Sequence, residues 1–278
     1  MSLESEVRHH YRRPSLTAEL EALILRQGRS LEGLRPEDLE GIEDMHVGGR
    51  RATAFLMDLL RPQQGSLLLD LGSGLGGPAR YAAAVYGARV VAVDLTLELL
   101  RAAVRLSRLV GLADSVRTAA ANVLALPFPD GLFDAAYTIH VGMNVQDKRG
   151  FYREAARVLR PGGRFALYDV VRLEGEPDYP VPWAERPELS FLVHPEALVG
   201  LLEQAGFAVL EVHDRSAEGK AAMRESARRI ADPESRSRAS APVVMGPRFA
   251  DKIRHLHAAL ADGRIGLLAV LARKGHGP

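Results

Sequence analysis

A cluster of glycines directly after an apolar strand has the residue types and the spacing needed to bind a nucleotide-like ligand. The strand is the run Leu67–Leu71, which contains the acid Asp70, and the glycines that follow are Gly72, Gly74, Gly76 and Gly77. Glycine has no Cβ, so its backbone N–H groups can approach a ligand closely and its φ angle can be positive. The helix predicted from Pro78 onward would present its N-terminus to the same ligand. The segment therefore predicts a site for a nucleotide or a related cofactor.

Two interpretations of this loop are open from its spacing alone. Gly72, Gly74 and Gly77 match the dinucleotide pattern G-x-G-x-x-G, which favours a nicotinamide oxidoreductase. Asp70, however, would repel a pyrophosphate and suits a ligand that carries an ammonium or sulfonium charge. Asp94 ends the next apolar run, where a carboxylate can accept hydrogen bonds from both ribose hydroxyls or can instead cap the following helix. The two acids together favour a nucleoside that carries a positive charge.

The composition excludes several classes of partner and chemistry. The chain has 278 residues, 36 basic and 35 acidic side chains, a formal net charge of +1 and no cysteine. A balanced charge provides no field that would attract nucleic acid, and the lack of cysteine excludes disulfides and thiol nucleophiles. The charged N-terminus is unlike a signal peptide, and no apolar run reaches the roughly 18–20 residues of a membrane helix. We therefore expect a cytoplasmic protein that binds neither nucleic acid nor membrane.

Alternating strands and helices predict the architecture that positions these residues. From residue 66 onward the strand patterns are almost continuously apolar, which is typical of a parallel sheet covered on both faces. The predicted strands cover residues 66–71, 88–95, 116–121, 133–141, 164–171, 207–213 and 265–272. The predicted helices between them cover residues 78–85, 97–110, 148–159 and 194–205. The fold class is therefore α/β, with a doubly wound and mostly parallel sheet.

Helical segments on both sides of this core divide the chain into four parts. Residues 1–61 are predicted to form an N-terminal helical cap or lid, with apolar residues at helical spacing over 18–26 and 52–60. Residues 62–213 form the core, and residues 264–278 hold its final strand and the tail. Residues 214–263 are predicted to be an insertion of two or three helices, broken near Pro233 and again between Pro242 and Pro247. The insertion suits either a lid or a homodimer surface.

Two further segments carry a resemblance to a known family. Asn122–Asp134 contains Leu126-Pro127-Phe128 and follows the third strand, and Arg160-Pro161-Gly162-Gly163 precedes the fifth. In this order, with the glycine loop and Asp94 before them, they resemble the class I S-adenosylmethionine-dependent methyltransferases over about residues 67–171. The resemblance implies a seven-stranded, Rossmann-like methyltransferase fold whose last strand is antiparallel and inserts beside the fifth. It also implies S-adenosyl-L-methionine as the cofactor and S-adenosyl-L-homocysteine as the product.

The resemblance also implies roles for individual positions of this chain. Asp70 and the loop would lie against the methionine part of the cofactor, Asp94 would hold the ribose, and Leu95 would pack on the adenine. Asn122 would accept a hydrogen bond from the adenine amino group, although members of the family often carry aspartate there. His140 would face the cofactor amino group or the substrate. The implied cofactor-binding residues are Asp70, Gly72, Ser73, Gly74, Gly76, Asp94, Leu95, Asn122, Val123 and His140.

Two other features bear on the methyl acceptor, namely the segment Glu43–Gly49 and the insertion before the last strand. Both resemble the sarcosine/dimethylglycine N-methyltransferases, and the segment Leu71–Arg80 is also shared with ubiquinone-type C-methyltransferases. The resemblance implies a small-molecule acceptor, with an amine or amino acid first. A carbon or oxygen of a natural product, isoprenoid or quinone-like compound is the alternative. A protein that binds the cofactor without turnover is a further alternative.

Two histidines are the candidate catalytic residues, because an acceptor that carries a proton needs a group to take it. They are His46 and His140, and each could instead be a structural hydrogen-bonding residue. The candidate substrate contacts are Tyr11, Asn144, Tyr168 and Trp183. Asp169 at the end of the fifth strand has no neighbouring metal ligands in the sequence, so we expect no metal site.

Overall fold

A seven-stranded sheet forms the centre of the computed structural model, which describes residues 3–231, 241–246 and 248–275. The strands are β1 Leu67–Leu71, β2 Arg89–Asp94, β3 Val116–Ala120, β4 Phe133–Ile139, β5 Leu159–Arg172, β6 Phe207–Asp214 and β7 Ile265–Lys274. Their order is β3-β2-β1-β4-β5-β7-β6, and β7 alone is antiparallel to its neighbours. The order confirms the predicted sheet, including the antiparallel final strand beside the fifth.

Helices cover the sheet and extend beyond it at the N-terminus and before β7. They are α1 Leu3–Tyr11, α2 Leu16–Arg26, α3 Gly49–Leu60, α4 Gly77–Tyr86, α5 Leu97–Leu109, α6 Lys148–Val158, α7 Pro195–Gln204, α8 Ser216–Ala231, α9 Ala241–Met245 and α10 Phe249–Ala261. Among the described residues, no helix has the length and apolar character needed to cross a membrane.

The side chains of the strands alternate between the two faces of the sheet, and each face packs on its own helices. Leu68, Val90 and Tyr137 lie in a cluster with residues of α3, α4, α8 and α10. Leu69 and Phe165 lie in a second cluster, with residues of α6 and α7. Because successive side chains of a strand point to opposite faces, a sheet covered on both sides needs apolar residues at consecutive positions. Each large side chain buried in this way contributes roughly 1.5–3 kcal/mol.

The loop between β1 and α4 requires glycine at position 72. The φ angle of Gly72 is 78°, and a Cβ on this residue would lie 2.3 Å from Cγ2 of Val141, which follows β4. Gly76 has a φ of 76° and directly precedes α4, whose first turn contains Pro78. The loop thus passes close to the end of β4, at the edge where the carboxyl ends of the parallel strands meet.

The N-terminal helices and the insertion pack against each other as well as against the core. Leu16 and Leu20 of α2 share a buried cluster with Leu106 of α5 and Val244 of α9. The insertion is helical over the part of it that the structure describes, and Pro242 lies in the first turn of α9, where proline is tolerated. The predicted break near Pro233 lies outside the described residues, whereas between Pro242 and Pro247 helix α9 ends at Met245 and Gly246 follows with a φ of 78°.

Most predicted elements start and end within two residues of the observed ones, and two differ by more. Helix α3 begins at Gly49 rather than at residue 52, because Gly48, with a φ of 88°, serves as the residue before the helix. Strand β5 begins at Leu159 rather than at residue 164, because Leu159 already pairs with Phe133 ahead of a register shift. Both differences arise from glycine-containing turns that residue patterns do not resolve.

Candidate functional site

A cavity of about 1040 Å³ lies at the carboxyl ends of β1, β2 and β4. Its walls come from the glycine loop, residues 40–48 before α3, the first residues of α3, helix α1 and the insertion. It brings together nine of the predicted cofactor-binding residues, namely Asp70, Gly72, Ser73, Gly74, Asp94, Leu95, Asn122, Val123 and His140. Gly76 is not in this wall, because its side-chain position faces Arg80 and Ala103 instead. Nine of the ten predicted cofactor-binding positions therefore line one cavity, and their role in binding the cofactor stays a prediction.

Asp94 anchors the glycine loop through its carboxylate. Oδ2 accepts a hydrogen bond of 2.9 Å from the Gly74 N–H, and Oδ1 accepts one of 2.8 Å from the Thr96 N–H. Burial raises the pKa of Asp94, and these backbone donors oppose the shift. Each carboxylate oxygen has a second lone pair, so the group can still accept bonds from ribose hydroxyls. Asp94 thus holds the backbone that opens α5, which is one of the roles considered from the sequence, and its role toward the ribose stays a prediction.

Asp70 and Ser73 present unsatisfied polar atoms at the opposite side of the glycine loop. Asp70 is 2% exposed, and neither its Oδ2 nor the Ser73 hydroxyl has a hydrogen-bond partner among the described residues. Buried polar atoms without a partner are rare and point to a missing ligand. Burial is the main reason that the pKa of Asp70 rises to about 8. A cofactor with an ammonium and a sulfonium group fits this position, because a positive charge would stabilise the ionised carboxylate.

The ligand-free protein is expected to lose stability between about pH 4 and pH 8 through Asp70. The unfolded carboxyl loses its proton near pH 3.8 and the folded one near pH 8, so the folded state binds more protons in this window. The free energy of unfolding therefore falls as the pH rises, and the contribution is fully present only below the unfolded pKa. Urea unfolding at about pH 5, 6.5 and 8 measures this slope, and Asp70→Asn should flatten it. An identical slope in Asp70→Asn would contradict the assignment.

Asn122 is bonded to a residue that the sequence analysis did not identify. Its Nδ2 donates a hydrogen bond of 2.6 Å to Glu4 Oε1 in α1, and its Oδ1 accepts one of 3.0 Å from the Leu124 N–H. Glu4 also lines the cavity, so α1 lies across the position implied for the adenine. The two residues are 118 positions apart, and no pattern in the sequence links them.

Three of the predicted substrate contacts are joined in one hydrogen-bond chain. The Tyr11 hydroxyl donates to Asn144 Oδ1 at 3.1 Å, and Asn144 Nδ2 donates to the Trp183 carbonyl oxygen at 2.8 Å. All three residues line the cavity. Burial raises the pKa of Tyr11, and the nearby Asp94 carboxylate raises it further, so this phenol stays protonated. These two hydrogen bonds connect the end of α1 with the loop after β5.

His46 and His140 face each other in the cavity, with ring centroids 6.1 Å apart. His46 Nε2 lies 3.0 Å from the Gly49 carbonyl oxygen and 3.0 Å from Thr53 Oγ1. His140 Nε2 is buried and has no hydrogen-bond partner among the described residues. Burial lowers the pKa of both imidazoles, and His46 lowers that of His140 further. Both rings are therefore neutral at pH 7 and available to accept a proton.

Tyr168 does not line the cavity itself, but it contacts His140, which does. Its side chain is 4% exposed and is not in the cavity wall, and its ring stacks on that of His140 at a centroid distance of 5.2 Å. His140 has a φ of 54°, which is uncommon for a residue with a side chain. Such a conformation persists where packing determines it, and the stack on Tyr168 provides packing of this kind. Tyr168 thus supports a site residue instead of touching a ligand.

A buried ion pair beneath the glycine loop is the main feature that sequence reasoning missed. Arg80 of α4 is fully buried, and its Nε and Nη2 donate to Glu43 Oε2 at 2.8 and 2.5 Å. Nη2 also donates to the Leu75 carbonyl oxygen within the loop, at 2.6 Å. Glu43 Oε1 accepts a further bond of 3.3 Å from Arg50. The pair fastens the segment before α3 to the glycine loop. Two features of the sequence could have indicated this ion pair, namely the acid in Glu43–Gly49 and the arginine in the first turns of α4.

One part of the cavity wall is apolar and comes largely from the insertion. Four of the chain's six methionines line the cavity, together with an aromatic pair and aliphatic residues of α10. These side chains are Met45, Met143, Met223, Met245, Trp183, Phe249, Ile253 and Leu256. Methionine is flexible and polarisable, so such a wall adapts to the shape of an apolar ligand. The insertion therefore contributes directly to the ligand-binding surface.

The arginines of the cavity wall are already engaged by protein groups. Arg29 donates to Gln27 Oε1 at 2.9 Å and to the Asp38 carbonyl oxygen. Arg50 donates to the Pro36 carbonyl oxygen at 3.0 Å and to Glu43, and Arg51 pairs with Glu225. Tight recognition of a carboxylate uses a guanidinium with two free donors. In the described hydrogen bonds Arg29 donates only through Nη1 and Arg51 only through Nη2, so each guanidinium keeps further N–H donors.

Comparison with known sequences identifies similar proteins over the region that contains the site. A family model described as a methyltransferase domain matches residues 69–167. The chain is 36% identical over 180 residues to "O-methyltransferase cnsE" of Penicillium expansum, covering 64% of this chain and 65% of that protein. It is 34% identical over 182 residues to "O-methyltransferase resE" of Aspergillus sclerotiorum, covering 64% and 68%. The chain thus spans slightly less than two thirds of the first relative.

Comparison with solved structures extends the similarity beyond the matched domain. A sarcosine dimethylglycine methyltransferase-like protein from Galdieria sulphuraria superposes with a TM-score of 0.67, covering 84% of this chain and 94% of that one. The sequence identity is 21%, so this comparison concerns the fold alone. The shared fold agrees with the strand order described above.

Proposed function

Because the chain belongs to the class I S-adenosylmethionine-dependent methyltransferases, we propose that it methylates a hydroxyl oxygen of an apolar small molecule. The observation that carries this proposal is a single cavity that combines three parts. One is the cofactor-type end around Asp70 and Asp94, the second is the methionine-rich wall, and the third is the pair of neutral histidines. The two relatives described above, both named O-methyltransferases, support the choice of oxygen.

The lining of the cavity favours an acceptor that is more apolar than an amino acid. The cavity volume of about 1040 Å³ lies at the upper end of the roughly 300–1,000 Å³ typical of sites for one drug-sized ligand. The cavity would have to hold the cofactor and the acceptor together. Apolar side chains such as Met223 and Phe249 exclude water and stabilise apolar ligand surface, but they cannot hydrogen-bond a zwitterion. A ring system or chain with a hydroxyl group therefore fits the wall better than glycine or its N-methyl derivatives.

The arginines of the wall bear on the amino acid acceptor that the sequence favoured, because its carboxylate would need a cation. Arg50 and Arg51 pair with carboxylates of the protein, so a substrate carboxylate would compete with those partners. An apolar amine without a carboxylate would meet no such difficulty, because a neutral histidine can take its proton. An apolar amine is therefore the second candidate, and it shares the histidine pair with the hydroxyl proposal.

The protein itself would align the methyl donor with the acceptor, exclude water and accept one proton. The cofactor supplies a methyl group that is already activated on a sulfonium, so the bond to the acceptor forms as the carbon–sulfur bond breaks and its electrons stay on sulfur. The carboxylate of Asp94 and the glycine loop would orient the donor. The hydrogen-bond chain from Tyr11 to Trp183 would hold α1 at the cavity, and the apolar part of the wall would limit competing water. A histidine then receives the proton of the acceptor hydroxyl.

An acceptor screen with a cofactor-binding control tests the proposal. Calorimetry should detect binding of S-adenosylhomocysteine and no binding of NAD. The release of S-adenosylhomocysteine should then be measured with five kinds of acceptor, namely phenols, isoprenoid alcohols, apolar amines, glycine and dimethylglycine. We expect turnover with a hydroxylated apolar compound, identified as its methyl ether by mass spectrometry. Turnover confined to glycine-type acceptors would overturn the proposal. Tight cofactor binding without turnover on a broad hydroxyl panel would favour a binding protein instead.

A further inference from the structure

The hydrogen bonds of His46 determine which of its ring nitrogens carries the proton. Nε2 lies 3.0 Å from the Gly49 carbonyl oxygen, and a carbonyl oxygen can only accept a hydrogen bond. A neutral His46 must therefore carry its proton on Nε2. Nδ1 then has a free lone pair, which makes it the basic nitrogen of the ring. The described hydrogen bonds of this side chain all involve Nε2.

The start of α3 is built to hold this tautomer. Gly48 and Gly49 have φ angles of 88° and 50°, and Gly49 is the first residue of α3. Thr53 lies one helical turn further on, so its hydroxyl and the Gly49 carbonyl are neighbours on one face of the helix. The Thr53 side chain is 1% exposed, and its Oγ1 lies 3.0 Å from His46 Nε2. Two oxygen atoms of α3 thus orient one ring N–H.

His140 lacks an arrangement of this kind. Its Nε2 has no hydrogen-bond partner among the described residues, and its ring is held by stacking on Tyr168. The charges that act on the two rings also differ. Asp44 and the Gly49 carbonyl favour the protonated form of His46, whereas the titratable neighbour that acts on His140 is His46 itself, which disfavours it. A base that gains a proton needs a group that stabilises the resulting charge, and among the described residues the groups that act in this way lie around His46.

We propose that His46 Nδ1 is the proton acceptor for the methyl-acceptor hydroxyl, and that Thr53 is a positioning residue that, with Gly49, holds Nε2 as the N–H donor. The proposal rests on the proposed function. The oxygen–methyl bond forms, the carbon–sulfur electron pair stays on sulfur, and the hydroxyl proton moves to Nδ1. The imidazolium then keeps its Nε2–H on the two oxygens of α3 and releases the Nδ1 proton to solvent when the product leaves. His140 faces the same acceptor and contacts it as a neutral ring.

Four variants of Thr53 and the two histidines test this assignment by kinetics. Thr53→Val removes an acceptor for the imidazolium N–H without changing the shape of the side chain. We expect kcat to fall about 3- to 10-fold and the acidic limb of its pH profile to move to lower pH, whereas Thr53→Ser should restore both. His46→Gln should reduce kcat about 10²- to 10⁴-fold. His140→Gln should act mainly on the KM of the acceptor. A larger kcat loss in His140→Gln than in His46→Gln would overturn the proposal, as would an unshifted pH profile in Thr53→Val.

A measurement that needs no acceptor separates this proposal from the proposed function. Long-range ¹⁵N–¹H NMR of the histidine side chains in the full-length protein distinguishes a protonated from an unprotonated ring nitrogen. The His46 signals, assigned by their loss in His46→Gln, should show Nε2–H and a bare Nδ1. A bare Nε2 would refute the positioning by Gly49 and Thr53 even if hydroxyl methylation is found. Failure of every hydroxyl acceptor with this tautomer present would overturn the proposed function and leave the positioning intact.

Discussion

Glu43→Gln is expected to lower the free energy of unfolding by about 3–5 kcal/mol, the cost of leaving a buried ion pair without one partner. Both side chains of the Glu43–Arg80 pair are 1% exposed, and Arg50 depends on the same carboxylate. Arginine cannot escape burial by losing its proton, so the substitution leaves an uncompensated guanidinium in the core. Because Arg80 also bonds the Leu75 carbonyl, the glycine loop should loosen and the affinity for S-adenosylhomocysteine should fall as well.

Urea unfolding at neutral pH, with calorimetric titration of S-adenosylhomocysteine, measures both effects of this substitution. Glu21→Gln is the matched control, because Glu21 pairs with Arg105 near the surface, with side chains 27% and 42% exposed. Exposed pairs contribute at most about 1 kcal/mol, so the control should remain close to the wild type. The double variant Glu43→Gln/Arg80→Met should recover part of the loss, since it removes the stranded charge. Equal stability of Glu43→Gln and Glu21→Gln would contradict the structural role of the pair.

Asp94→Ala is expected to weaken the binding of S-adenosylhomocysteine by about 1–3 kcal/mol, the scale of hydrogen bonds to a charged group. The substitution removes the carboxylate implied to hold the ribose. It also leaves the N–H groups of Gly74 and Thr96 without their acceptor, so the glycine loop loses its anchor to β2. Asp94→Asn retains one carbonyl oxygen and should have a smaller effect.

Calorimetry on folded protein distinguishes lost binding from lost stability in this case. Asp114→Ala provides a charge-matched control, because the Asp114 side chain is 99% exposed and lies outside the cavity wall. Urea unfolding of each variant should accompany the titrations, so that a drop in affinity can be compared with any drop in stability. An Asp94→Ala variant that binds S-adenosylhomocysteine with wild-type affinity would show that the ribose contact is assigned to the wrong residue.

The core of the fold and the cofactor end of the site were predictable because their signals are local. The apolar run, the glycines and Asp70 occupy one short segment, and the strand–loop–helix unit positions them without help from distant residues. The position of Asp94 beside the glycine loop was predictable for a related reason. The carboxyl ends of adjacent parallel strands meet at one edge, so an acid that ends β2 must lie beside the loop that follows β1.

The acceptor end of the cavity could not be predicted in the same way, because it is assembled from segments that are far apart in the chain. Met45, Met143 and Met223 come from the loop before α3, the turn after β4 and the insertion, and only their packing makes one wall. The amine acceptor suggested by resemblance rests on sequence motifs, whereas the hydroxyl acceptor proposed here rests on that wall. Contacts such as Glu4 with Asn122 likewise join residues 118 positions apart.

The sequence by itself therefore determined the sheet, the glycine loop and the family, because periodicity and short-range spacing encode them directly. Only the tertiary structure decided what the motif Glu43–Gly49 does. Glu43 points to Arg80, 37 residues away, and supports the cofactor loop, while His46 turns to Gly49 and Thr53 and toward His140. The path of the chain therefore gives side chains that are close in sequence different contact partners. Composition and spacing carry no information about that path, since it is set by which distant surfaces pack together.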